Sequence, residues 1–130
     1  MHLKIITHEK VVFDDNVDEI YAKGEMGEFG ILKGHIPYMT ALDIGVAKIV
    51  KDGKSKYFSI MGGIFQFKDE EALILTQTAE RGDEIDEIRA REALNRAKSR
   101  LAEHNAELDA KRAEAAAARA LARLKAKLNE

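Results

Sequence analysis

Two hydrophobic rhythms divide the chain. From Leu3 to Thr78, β-branched and aromatic residues come in short runs broken by Gly, Asp and Asn, whereas from Ala90 onward apolar residues recur in steps of three and four. The first pattern reads as strands and the second as helices. The runs predict strands over Leu3–Thr7, Lys10–Asp14, Val17–Lys23, Gly45–Lys51, Ser55–Met61, Ile64–Lys68 and Leu73–Thr78. Lys51-Asp52-Gly53-Lys54 is a strong hairpin signal, since Gly accepts the positive φ that such turns require. Gly62-Gly63 and Lys68-Asp69-Glu70-Glu71 read as further turns. Many short strands at this spacing favour a sandwich or a barrel. No run of ten or more residues before position 80 has a convincing helical period, which disfavours a parallel βαβ sheet.

In the second part, Ala90, Leu94, Ala97, Leu101, His104 and Leu108 form an a/d seam. The signal weakens over Glu103–Asp109, and Asp109 is a good N-cap for a second helix carrying Ala110, Ala113, Ala117, Leu121, Leu124 and Leu128. A short connection predicts an antiparallel hairpin. Its stripe is thin because Ala buries little apolar area, so the hairpin is expected to be marginal and to need a partner surface or ligand.

Composition sharpens this division. All nine Gly lie between Gly24 and Gly82, and all eight aromatics between Phe13 and Phe67. Residues 85–130 hold fourteen of the nineteen Ala and seven of the eight Arg. The net charge of −2 is the sum of −5 over residues 1–84 (10 basic, 15 acidic) and +3 over residues 85–130 (11 basic, 8 acidic). The expected domains are therefore 1–84 and 85–130. No apolar run approaches the ~18 residues of a membrane span. The start of the chain, Met1-His2-Leu3-Lys4, lacks the layout of a secretory signal. The absence of Cys removes disulfides, thiolate zinc sites and Cys nucleophiles. The near-neutral balance argues against a general nucleic-acid binder.

No catalytic constellation stands out. Ser55, Ser59 and Ser99 lack a nucleophile-elbow setting, His2, His8, His35 and His104 lack metal-ligand spacing, and there is no Gly-rich phosphate loop. The acid pairs Asp14-Asp15 and Glu70-Glu71 read as solvated turns. Two segments rise above this background. Residues 27–42 combine three Gly, the single Pro and two aromatics, and read either as an elaborate connecting loop or as a shaped, polar-tipped partner surface. Ile85-Asp86-Glu87-Ile88-Arg89-Ala90 places Asp86 and Arg89 three apart with Arg96 one heptad on, and Arg112, Arg119, Arg123 and Lys127 form a basic stripe beyond it. Spacing alone admits both a solvated helical face and an anion site in which guanidinium forks from both helices converge on a polyphosphate.

At these residues the chain resembles the epsilon subunit of bacterial and chloroplast-type F-type ATP synthases. The resemblance spans essentially all 130 residues. It rests on Gly-Glu-Phe-Gly-Ile-Leu-Lys-Gly-His-Ile-Pro (27–37) with Thr40-Ala41-Leu42, on Gly45-Val46, and on Ala79-Glu80-Arg81 leading into Ile85-Asp86-Glu87-Ile88-Arg89-Ala90. It implies an α+β fold, an N-terminal β-sandwich followed by a C-terminal antiparallel α-helical hairpin. It also implies a non-catalytic place in the central stalk, bound to the gamma subunit and resting on the c-ring, peripheral to the cytoplasmic face of a membrane or to the stromal face of a thylakoid.

The 27–37 segment resembles the part that faces the c-ring, with Glu28 and His35 at its polar contact positions and Lys33 where many members have Pro. The run 85–90 matches the family's ATP-binding motif. The residues implied for ATP, with or without Mg, are Glu80, Ile85, Asp86, Arg89, Ala90, Arg96, Arg119 and Arg123. With ATP the hairpin would fold on the sandwich. Without it the helices would extend along gamma toward the beta and alpha subunits and resist hydrolysis. The alternatives are a constitutive coupling subunit whose hairpin never switches, and a free-standing ATP-sensing protein.

Overall fold

The computed structural model describes residues 1–103 and 107–129. Eight strands are followed by two helices: β1 (His2–Ile6), β2 (Val11–Asn16), β3 (Glu19–Gly24), β4 (Gly27–Leu32), β5 (Tyr38–Lys51), β6 (Lys54–Lys68), β7 (Glu71–Leu75), β8 (Ala79–Arg81), α1 (Glu87–Glu103) and α2 (Glu107–Leu128). A single 3-10 turn at Gly82–Glu84 joins β8 to the helical part.

The strands form one hydrogen-bonded sheet, β2-β1-β7-β6-β5-β3-β4, with β8 added on β6. All pairings are antiparallel except β1 with β7. The sheet becomes a sandwich because β5 and β6 are long enough to belong to both layers. The end of β6 at 64–68 pairs with β7, and its start at 58–60 pairs with β8. Contacts across the layers follow: Phe13 of β2 meets Phe58 at 5.5 Å, and Phe29 of β4 meets Phe65 at 5.0 Å. The core is Leu3, Ile5, Ile20, Ile31, Ile49, Phe58, Phe65, Phe67 and Ile74 with smaller neighbours, all essentially without exposure.

Several expectations are corrected. Residues 27–42 are not one loop: Gly27–Leu32 is edge strand β4, and β5 begins at Tyr38 rather than Gly45. Gly27 and Gly30 interrupt the side-chain pattern there, and an edge strand needs only one buried face. Gly62-Gly63 is not a turn. It lies inside β6, at φ +77° and +117°, and a Cβ at Gly63 would sit 1.9 Å from the Leu75 carbonyl oxygen. The Lys51–Lys54 hairpin is as expected, with φ +51° at Asp52 and +74° at Gly53, the primed turn that matches strand twist. Strand β7 ends at Leu75, so Thr76–Thr78 leave the sheet before the unexpected short strand β8.

The helices pack as an antiparallel pair through part of the seam read from the sequence: Ala90, Leu94, Ala97, Ala113 and Leu124 lie in the contact, but other positions of the second helix do not. α2 starts at Glu107, which puts Asp109 inside its first turn instead of at the N-cap. Leu121 and Leu128 are 40% and 58% exposed. The buried residues of α2 are Ala113, Ala120, Ala122, Leu124 and Ala126. At about 100° per residue, 113, 120 and 124 share one side, while 122 and 126 lie on the opposite side. His104 lies outside the described residues, as does the side chain of Leu108.

α2 is thus the middle layer. One side meets α1, through Ala90, Leu94 and Ala97, and the other meets β5 and β6. Ile85, Ala90, Leu124 and Ala126 cluster with Leu94 and with Val46 and Tyr57 of the sandwich. A single apolar stripe cannot describe a helix that buries two sides.

Ser59 lies in this docking face. Its neighbours Phe58 and Ile60 point into the core, so Ser59 points the other way, paired across the sheet with Val46 and Glu80. It has no exposure, and among the described residues its hydroxyl has no hydrogen-bond partner. A buried hydroxyl without a partner costs about 1–3 kcal/mol, which weakens the docked arrangement.

Two stability measurements test this account. Gly63→Ala should destabilise the sandwich by about 2 kcal/mol or more in urea unfolding, because both φ and the Leu75 carbonyl oppose a side chain. Ser59→Ala should do the reverse, slowing amide exchange in α2 several-fold, which corresponds to about 1 kcal/mol. Unchanged exchange would show that the hydroxyl finds a partner in solution.

Candidate functional site

A groove of about 440 Å³ opens where the start of α1 meets α2 and β8, lined by Glu80, Glu84, Ile85, Asp86, Arg89, Ala90, Ala93, Arg96 and Arg123. A second hollow of about 190 Å³ continues it between the helices and adds Arg100, Ala116 and Arg119. Ala93, Arg96 and Arg123 line both. The structure therefore brings all eight residues named for a nucleotide together along one flank of α2. Glu84, Ala93, Arg100 and Ala116 join them without having been singled out. Their signal was the helical step: 93, 96 and 100 continue the face begun at Arg89.

Five of these eight have structural tasks. Asp86 is the N-cap of α1, not a residue facing Arg89 along the helix: its Oδ1 accepts the Arg89 backbone N–H at 3.1 Å, closing one of the open donors of the first turn. Ile85 and Ala90 are buried against Leu124 and Ala126, so they form the floor of the groove. Glu80 and Arg123 form an ion pair from sandwich to α2, with Arg123 Nε donating to Glu80 Oε1 at 2.8 Å. Both remain roughly one-third exposed, which limits the pair to a fraction of a kcal/mol up to about 1 kcal/mol.

Arg89, Arg96 and Arg119 differ from these. Among the described residues, no carboxylate pairs with any of them. Three guanidiniums along one groove repel one another, and a multiply charged anion between them relieves that repulsion through bidentate hydrogen bonds. Among the described residues, no group of three or more His, Asp or Glu is placed to hold a metal ion.

The second predicted surface separates into two places. Glu28 is exposed near the start of β4, paired with Lys23 of β3. His35 lies beyond the other end of that strand, with its ring edge-on to Tyr38 and Phe67 at 6.1 and 6.0 Å and its Nδ1 2.6 Å from the Ile36 carbonyl oxygen. At about 3.3 Å per residue, the length of β4 separates the two.

The turn that carries His35 is held by Glu70, which is no solvated turn acid. Its Oε1 accepts the Gly34 N–H at 3.0 Å, and its backbone adopts φ +59°, unusual for a side-chain-bearing residue. The turn ends in Ile36, which is 74% exposed. Beside it lies an apolar outer sheet face. Ala41, Ile64, Leu75 and Ile6 are register neighbours across β5, β6, β7 and β1, with Met39 two residues from Ala41. Met39 is 65% exposed. A contiguous apolar face of this kind marks a protein interface.

The chain is thus a two-part protein, an N-terminal β-sandwich with a charged two-helix hairpin folded on one face and an apolar opposite face. The family model of the ATP synthase delta/epsilon chain β-sandwich domain matches residues 1–82, and that of its long α-helix domain matches residues 83–127. The ATP synthase epsilon chain of Nitratidesulfovibrio vulgaris is 41% identical over 129 residues, 99% of this chain and 96% of that one. That of Trichlorobacter lovleyi is 46% identical over 101 residues, 78% of this chain and 73% of that one.

Among solved structures, a chain of the Euglena gracilis mitochondrial ATP synthase (OSCP/F1/c-ring) matches with TM-score 0.83 and 25% identity, over 97% of this chain and 79% of its own length. A chain of the Tetrahymena thermophila mitochondrial ATP synthase central stalk/c-ring, at TM-score 0.67 and 19% identity, shows the shared fold, over 98% of this chain and 96% of its own. The chain belongs to the ATP synthase delta/epsilon chain family, and its relatives there are epsilon chains. No described helix is long and apolar enough to cross a membrane.

If the Glu80–Arg123 pair latches α2 to the sandwich, Glu80→Gln should speed amide exchange in α2 up to about fivefold without nucleotide and leave the exchange of β1–β7 unchanged. Equal loss of protection in sandwich and helix would show a general loss of stability instead.

Proposed function

We propose that this chain is the epsilon subunit of the central stalk of an F-type ATP synthase, and that its hairpin is an ATP-sensitive brake on hydrolysis. It performs no chemistry of its own. The apolar outer face around Met39, Ile64 and Leu75 supports docking on gamma, and the turn at His35 and Ile36 supports contact with the c-ring. The assembly then lies at the cytoplasmic face of a membrane, or at the stromal face of a thylakoid.

The observation that carries the regulatory reading is the set of guanidiniums at Arg89, Arg96 and Arg119, without a carboxylate partner among the described residues, along one groove between the two helices. These arginines suit the phosphates of ATP, with or without Mg. Ile85, Ala90 and Ala93 offer the apolar floor on which a base can rest, and Glu80 and Glu84 offer acceptors for its amino group. Arg123 is shared between Glu80 and the phosphates.

Binding energy enters only as the difference between the folded and open hairpin. The docked state is weakly held, by alanine packing, a partly exposed ion pair and a desolvated Ser59, so a modest difference shifts it. When α2 leaves the sandwich, its basic stripe is free for acidic surface on the beta and alpha subunits, and rotation in the hydrolysis direction is resisted. A constitutive coupler would keep the same sandwich contacts but would not respond to ATP, and a free-standing sensor would not co-purify with gamma.

Calorimetry of the full chain with ATP should give saturable binding. Arg89→Ala and Arg119→Ala should each weaken it about tenfold or more, in line with the loss of a charged hydrogen bond. ATP should also slow amide exchange in α2. Unchanged affinity in both variants would rule out the arginine groove as the site.

A further inference from the structure

The other flank of α2 carries a cleft that the regulatory reading does not use. It holds about 480 Å³ between the helix and strands β3, β4 and β5. That volume lies within the about 300–1,000 Å³ typical of small-molecule sites. Residues 118, 121, 122 and 125 of α2 face it, whereas 116, 119 and 123 face the arginine groove, so the helix separates the two sites.

One wall belongs to the sandwich, with the Tyr21 ring beside the open backbone of Gly30 and Val46 next to it, while the Phe29 ring turns inward against Phe65. A Cβ at Gly30 would lie 2.8 Å from the Tyr21 ring, so the glycine keeps that ring flat on the strand. The opposite wall is Leu121 with Ala118 and Ala122. Leu121 is 40% exposed although it sits on the inner half of an otherwise alanine-packed helix, because the sheet does not close against it.

Charge makes this cleft selective. Lys48 and Lys125 reach it from opposite walls, and Lys23 stands at its edge, against the single carboxylate of Glu28. Lys23 is partly neutralised by Asp43 at 3.6 Å. Lys48 lies over the Tyr21 ring, 5.7 Å from its centre, and among the described residues no carboxylate pairs with Lys48 or Lys125. The chemistry on offer is an open-sided slot, apolar in its middle, with cations at its mouth.

We propose that this cleft binds a small amphiphilic anion, a medium-chain fatty acid, with its alkyl chain between Tyr21, Val46 and Leu121 and its carboxylate between Lys48 and Lys125. Because one wall is the sandwich and the other is α2, the ligand clamps the hairpin in its folded position. It does so without touching the arginines, so it needs no bound nucleotide.

The test uses the full chain with decanoate, in calorimetry and in amide exchange. Saturable one-to-one binding is expected, with new protection in β3, β4 and residues 118–125. Lys125→Glu and Leu121→Asp, both at exposed positions, should each weaken it about three- to tenfold. Arg89→Ala should leave it unchanged. Protection confined to β5, β6 and β7 on the outer apolar face, loss of binding in Arg89→Ala, or affinity unaltered by both cleft substitutions would each overturn the proposal. The nucleotide reading fails separately, by the ATP titration alone.

Discussion

The arrangement depends on a helix that must bury two opposite sides with little more than alanine. Ala113, Ala120 and Leu124 face α1, and Ala122 and Ala126 face the sandwich. Neither contact hides much apolar area, and free energy follows that area. α1 has no comparable hold of its own on the sheet; it reaches the sandwich through α2 and the short turn at Gly82–Glu84. If α2 leaves, α1 loses its support as well. The two helices therefore form one cooperative unit, whose stability is set at the α2–sandwich contact and is much lower than that of the core around Phe58 and Phe65.

That single contact explains why polar features gather beside it. The Glu80–Arg123 pair spans it, Ser59 is dehydrated beneath it, and Asp86 caps the helix that lies over it. The pair strengthens closure and the serine opposes it. A hairpin held only by favourable terms would stay shut. A desolvated hydroxyl placed where it regains water on opening narrows the gap between the two states.

Much of this was legible in the chain, and the failures have physical causes. The Asp52-Gly53 turn could be read because it is local: two residues decide it. Gly62-Gly63 misled because glycine pairs signal turns, whereas here they let β6 bend within the sheet and pass close to the Leu75 carbonyl, a contact distant in sequence. β4 was hidden by its glycines and by being an edge. A heptad presumes one partner and so puts Leu121 and Leu128 in a seam, whereas α2 has two partners. Glu70 reads as a solvent-facing acid because its role, holding Gly34, spans 36 residues. The arginines were legible as a group because their spacing already put them on helical faces. Asp86, next to them, was misread, since an N-cap and a ligand look alike until the first helical residue is known.

The two flanks of α2 are not energetically separate. Any ligand on the arginine flank and any ligand on the lysine-lined flank both require α2 in place, because each site is built partly from it. Neither needs to touch the other. Whichever binds first has already met the cost of docking the helix, so the second binds to a chain with more of the closed state present. Linkage makes this reciprocal: the factor by which one raises the affinity of the other is the same in both directions. Its ceiling is the fraction of chains open beforehand, since a hairpin already closed has nothing left to gain. A loosely docked alanine helix is therefore the element that allows coupling at all. A leucine-rich α2 would bind the same groups and transmit nothing between them.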